Sequence, residues 1–119
     1  MPSYTPPLRD MQFIMNEVLH VPETLKALPA HADLDADTIA AVLEEGGKFA
    51  AEVLLPLNAI GYQQGCQLNQ STHEVKTPDG FKQAYQAMGE GGWTAMEGAE
   101  AYGGQNMPMV VSAAGNEMW

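Results

Sequence analysis

The sequence predicts an all-α domain, a small bundle of helices packed orthogonally or up and down, and three observations carry that prediction. The first is residues 34–57, LDADTIAAVLEEGGKFAAEVLLPL, where Ile39, Val42, Leu43, Phe49, Ala50, Val53, Leu54 and Leu57 recur at intervals of three and four, with Gly46 on the same stripe. That is the helical period rather than the alternation of a strand. The second is the same spacing over residues 8–19 and again over 81–88. The third is the near absence of extended patterning, confined to short stretches at 66–68 and 74–76.

In chain order, Thr5 is the expected cap of a first helix, with Pro6 in the first turn, where its missing N–H costs nothing. That helix covers residues 6–19, its inner face made of Leu8, Met11, Ile14, Met15, Val18 and Leu19, and Val21 with Pro22 is expected to end it. A helical turn follows at 23–28, then a connection at 29–33. Asp35 or Asp37 caps the long helix, since either carboxylate can accept from an orphan N–H at the positive end of the helix dipole. Gly46 and Gly47 stand mid-helix, each costing roughly 1 kcal/mol relative to alanine, which implies a neighbour approaching the bare backbone. Pro56 is expected to stop or kink the helix near Leu55.

Residues 58–76, with Gly61, Gly65 and many amides, read as a loop of weak strand content. Thr77, Pro78 and Asp79 repeat the cap-then-proline signal, and a helix with Phe81, Ala84, Tyr85 and Met88 on one stripe runs to Gly89, Gly91 and Gly92. Trp93 and Met96 are expected in the core, EGAEAYGGQ at 97–105 as a loop, and a last helix from Met107 or Pro108 through Met118. Because that helix is apolar on most sides and ends at Trp119 without a stop signal, the sequence reads as truncated there, its valines and methionines available for self-association.

Composition bounds the function. At 119 residues the chain is one domain, able to remove roughly two thirds of its unfolded surface from water. Five basic against 15 acidic residues give a formal charge of −10, which repels nucleic-acid backbones and anionic membrane surfaces. The single Cys66 can form no internal disulfide, the opening MPSYTPPLRD lacks the features of a secretion signal, and no apolar run approaches the ~20 residues of a membrane span. The expectation is a cytoplasmic protein without membrane insertion.

Taken together, a capped helix ending EEGGKFAAEVLLPLN, a variable loop, TPDGFKQAYQAMGEGGW and then EAYGGQNMP opening a helix resemble the amino-terminal domain of acyl-CoA dehydrogenases. The opening MPSYTPPLRDMQFIMNEVL resembles the extra leader of the longer bacterial subgroup that includes 3-methylmercaptopropionyl-CoA dehydrogenases. The resemblance spans essentially the whole chain, with residues 1–33 as leader helices and 34–119 as the core of the domain; it departs at Gln105 and Asn106, where leucine or glycine is usual. It implies a fragment of a larger α+β+α enzyme, whose middle β domain holds most of the FAD contacts and whose carboxyl-terminal bundle carries the catalytic glutamate. That enzyme abstracts an α proton from an acyl-CoA thioester while a β hydride passes to the flavin, and an electron-transferring flavoprotein takes the electrons. The partners so implied are the remaining two domains, acyl-CoA, that flavoprotein and further copies in a homo-oligomer. No catalytic, cofactor-binding or metal residue transfers to a position here, and the piece alone is expected to carry neither FAD nor activity. The alternative is a free-standing helical module that binds a partner protein through its last helix.

Sharper chemistry has weak support in the residues. Cys66 and His73 lack an orienting third group for a nucleophile–base pair. His20, His31 and His73 fall in separate segments without metal-ligand spacing, and Gly103–Gly104 follow no strand and precede no lysine, as a phosphate loop would require. Glu44, Glu45 and Glu52 sit on the polar side of the long helix, and the methionines serve as adaptable core filler.

Overall fold

A computed structural model describes residues 3–119, so the first two residues of the leader motif lie outside the described residues. The backbone is mostly helical, with one two-stranded sheet. Helix α1 (Leu8–Phe13) widens into a π-helical turn, Ile14–Val18, so the expected first helix is present but not uniform. Thr5 is not its cap. Pro7 holds that position without a side-chain bond, and the Leu8 N–H donates to Pro6 O at 2.8 Å. Pro7 has no N–H and the Leu8 N–H is taken by Pro6 O, so neither donor that a Thr5 cap would serve is available.

Val21 and Pro22 begin an element rather than close one. His20 turns the chain with φ 50°, and α2 (Val21–Lys26) follows with Pro22 in its first turn, where proline fits. A short 3-10 turn, Pro29–His31, leads to α3 (Ala36–Phe49). Asp35 is the cap: its Oδ1 accepts from the Thr38 N–H at 2.8 Å, while Asp37 lies in the first turn.

Pro56 does not end the helix. A π-helical turn, Ala50–Leu54, joins α3 directly to α4 (Leu55–Gln64), and the Leu55 N–H bonds back to Ala50 O. That five-residue span opens the turn ahead of Pro56, easing the clash between its ring and the preceding turn that would otherwise break the helix. The expected loop at 58–64 is therefore helix. Its sequence shows no apolar stripe because α4 buries no residue.

Gly65, with φ 60°, turns the chain into a hairpin of β1 (Gln67–Leu68) and β2 (Val75–Lys76), antiparallel with Gln67 opposite Lys76 and Leu68 opposite Val75. These fall on the two stretches expected to be extended. Asn69 Oδ1 accepts from Ser71 N at 2.9 Å and Thr72 N at 3.2 Å, organising the turn. Gln64 clamps Asp79 across the hairpin foot, Nε2 donating to Oδ2 at 3.1 Å and Oε1 accepting from the Asp79 N–H at 2.8 Å. Asp79 is thereby drawn away from helix capping. Gly80 starts α5 (Phe81–Glu90) without a side-chain cap, so the Thr77–Pro78–Asp79 signal misplaced the cap while announcing the right helix. That helix stops at Gly91 and Gly92 as expected. Two 3-10 turns, Trp93–Ala95 and Glu100–Tyr102, precede α6 (Met109–Asn116).

The core gathers around α3. Leu43 and Val111 are the most deeply buried side chains, with Met11, Met15, Leu25, Ile39, Met96 and Met118 around them and Trp93 and Trp119 packed against the cluster. Both mid-helix glycines admit close neighbours: a Cβ at Gly47 would fall 2.8 Å from Pro6 Cγ, and one at Gly46 would fall 3.1 Å from Met118 Cε. The last helix does not present its valines outward. Val111, Ser112, Gly115 and Met118 are buried and Val110 is half-buried, because α6 lies on α3; Met109 remains exposed. The whole measures 57 × 37 × 17 Å, with a radius of gyration of 17.3 Å. Among the described residues no helix is long and apolar enough to cross a membrane.

Candidate functional site

Cys66 is exposed at the open end of the hairpin, and His73, with φ 59°, stands in the turn that closes its other end. The register holds the two at opposite ends of the ladder, so the fold does not assemble a thiol–imidazole pair. His20 forms the bend before α2 and His31 ends a 3-10 turn, its Nδ1 buried without a hydrogen-bond partner. Among the described residues no group of three or more histidine, cysteine, aspartate or glutamate side chains is placed to hold a metal.

The glycine loop is built for packing. Gly103 has φ 82°, a conformation glycine adopts without a Cβ penalty. Gly104 passes so close to Gly98 that a Cβ would overlap the Gly98 carbonyl. The amides that could have cradled a phosphate are committed internally: Gly103 N to Glu100 O at 3.0 Å, Gly104 N to Ala99 O at 3.1 Å, Gln105 N to Ala95 O at 3.1 Å, Asn106 N to Gly98 O at 2.8 Å and Met107 N to Met96 O at 2.7 Å. Asn106 itself takes φ 49° and reaches Ala30 O through Nδ2 at 3.4 Å, tying the loop to the 3-10 turn Pro29–His31.

Glu44 and Glu45 flank Lys48 at 3.5 and 2.7 Å on the solvent side of α3, and Glu52 is likewise exposed. The Lys48 ammonium is held above the ordinary lysine range by the Glu45 hydrogen bond and by the charges of both carboxylates. This is a solvated ion pair, of small energetic weight.

Two clefts remain. One, of about 370 Å³, lies between α4 and α5 and is lined by Leu54, Leu57, Asn58, Phe81, Ala84, Tyr85 and Met88. The other, of about 480 Å³, is formed where α5, the Trp93 turn and α6 meet, and includes Trp93, Glu97, Ser112, Asn116 and Trp119. Ser112 is the buried polar residue of the core, 3% exposed, and its hydroxyl lies against both Glu97 Oε1 and, at 3.0 Å, Met109 O. One hydroxyl proton serves one acceptor well, and the charged carboxylate is the stronger claimant. The sequence carried no signal for the Ser112–Glu97 contact, because a loop and a helix supply its two members.

These features define a mostly helical domain in which the polar groups described above organise loops and caps. No protein-family model matches the chain. The class to which it is similar is the acyl-CoA dehydrogenases. The chain is 33% identical over 116 residues, 98% of its length, to 3-methylmercaptopropionyl-CoA dehydrogenase of Ruegeria pomeroyi. It is 32% identical over 111 residues, 93% of its length, to the broad-specificity linear acyl-CoA dehydrogenase FadE5 of Mycobacterium tuberculosis. The chain spans 19% and 18% of those two proteins. The resemblance read from the order of motifs is borne out, as is the all-α fold it implied.

The amides of the glycine loop are internally bonded, so that loop holds no free N–H groups for a dinucleotide's pyrophosphate.

Proposed function

We propose that this chain is the amino-terminal helical part of an FAD-dependent acyl-CoA dehydrogenase, with residues 1–33 as leader helices and 34–119 as the core of that domain. The observation that carries the reading is similarity along 98% of the chain to a protein of which it spans 19%. In this reading the domain walls the active-site cleft, while FAD, the catalytic base and most of the acyl pocket are supplied by the rest of the polypeptide. The enzyme α,β-dehydrogenates an acyl-CoA thioester, delivers electrons to an electron-transferring flavoprotein and works in the cytoplasm as a homo-oligomer. The names of the relatives set the substrates to try: 3-methylmercaptopropionyl-CoA and linear acyl-CoA thioesters.

The test is to purify the complete encoded polypeptide alongside the 119-residue chain. The complete protein should show flavin absorbance and acyl-CoA-dependent reduction of an electron acceptor; the chain alone should show neither. Bound flavin or turnover in the short chain would overturn the reading, as would a complete polypeptide that binds no flavin.

A further inference from the structure

The cleft at Glu97 has walls of unusual chemistry. Trp93 and Trp119 pack together with ring centroids 5.6 Å apart at 60°, and both line the cleft. Among the described residues that line it, Glu97 is the one ionisable side chain, with no lysine, arginine or histidine on the walls. One carboxylate oxygen is engaged by the buried Ser112 hydroxyl, which fixes the group; among the described residues Glu97 forms no salt bridge. Asn116 is oriented as well, its Oδ1 accepting from the Trp119 indole N–H at 3.2 Å.

We propose that this cleft is a binding site for an organic cation, a guanidinium or alkylammonium group that pairs with Glu97 while lying against the indoles. Aromatic rings carry negative charge on their faces, and an anchored carboxylate beside them supplies the formal charge. The surrounding excess of negative charge concentrates cations at the mouth. Glu97 is exposed, as the glutamates of α3 are, and what sets it apart is that the buried Ser112 hydroxyl holds its carboxylate at the cleft the tryptophans line. The assignment does not depend on the dehydrogenase reading, since it rests on the walls of the cleft alone.

Both tryptophans of the chain line the site, so intrinsic fluorescence reports occupancy directly. The 119-residue chain is titrated with N-acetyl-argininamide, tetramethylammonium and, as the neutral isostere, N-acetyl-citrullinamide. The expected result is a saturable change with at least one cation and none with the isostere. Glu97→Gln, with its circular dichroism unchanged, should weaken binding by about five-fold or more, as loss of the charge partner requires. A response favouring the arginine amide supports the site and points to a side chain presented by a polypeptide. One favouring tetramethylammonium supports it and points to a small-molecule amine. An equal response to the neutral isostere, no saturable response, or unchanged affinity in folded Glu97→Gln would overturn the proposal. Should Glu97→Gln fail to fold, Trp119→Phe gives the same decision through the Trp93 signal.

Discussion

Leu43, 1% exposed at the centre of α3, is where one side chain carries most weight. Leu43→Ala removes the transfer energy of the lost atoms and leaves a cavity, so it should cost about 2–5 kcal/mol, read as a lowered urea midpoint with an unchanged slope. Asp35 acts at the opposite extreme, on the surface. The Thr38 backbone N–H, and secondarily the Thr38 side chain, hold its carboxyl below the ordinary 3.8. A carboxyl lowered by folding stabilises fully above the unfolded pKa and ceases to do so as pH falls through the folded one. Asp35→Ala should therefore lower Tm by a few degrees at neutral pH, with the gap from the parent closing below about pH 3.8. Gly104→Ala should be worse than its size suggests. Its Cβ overlaps the Gly98 carbonyl, so the 97–106 loop must open, and limited proteolysis should cut there in the variant before the parent. The mid-helix glycines, and Asp35 as one of two candidate caps with Asp37, were legible in the sequence because capping and close approach are local demands on residue type. Ser112 and Glu97 were not, because nothing local in either residue announces a partner 15 positions away.

At the level of elements, the helices that bury a face were legible and the one that buries none was not. Residues 34–49 show their apolar stripe because it packs on neighbours, and 81–88 carry one of which Ala84 is buried while Phe81 and Tyr85 are exposed, whereas α4 is a helix carried forward through a π-helical turn, with no buried residue to write a period into its sequence. The caps failed for a related reason. Thr5 and Asp79 are competent capping residues, but adjacent prolines removed the donors in one case and Gln64 claimed the carboxylate in the other. Docking of α6 on α3 depends on Gly46, against which Met118, Trp119 and Trp93 all rest. Gly46→Val should cost about 1–3 kcal/mol through overpacking despite valine's better helix propensity. The near-ultraviolet circular dichroism of the tryptophan pair should diminish with it, while the far-ultraviolet spectrum stays helical.

For the molecule as a whole, shape and charge matter together. A compact chain of this length has a radius of gyration of about 13–14 Å, against 17.3 Å here, and one dimension is only 17 Å. Small-angle scattering should return the larger value for the monomer. A slab so thin leaves apolar side chains uncovered: Phe13, Ile14, Val18, Leu19 and Leu28 near the amino terminus and Phe81 and Tyr85 along α5 are all exposed. With a formal charge of −10, self-repulsion opposes the compact state, so raising ionic strength from about 0.02 M to about 0.5 M should raise Tm. An unchanged or lower Tm would show that local ion pairs such as Lys48 with Glu44 and Glu45 outweigh the net charge.

By itself the sequence determined the fold class, the long helix with its two glycines, the positions of both strands and the class of protein the chain resembles. These follow from periodicity, composition and the order of motifs, all of which lie along the chain. Tertiary structure alone decided that the helix passes Pro56, that the last helix turns its valines inward onto α3, and that Glu97 meets Ser112 in a cleft that both tryptophans line. Those outcomes turn on which surfaces find each other, and contact between distant segments leaves no periodic trace in either of them.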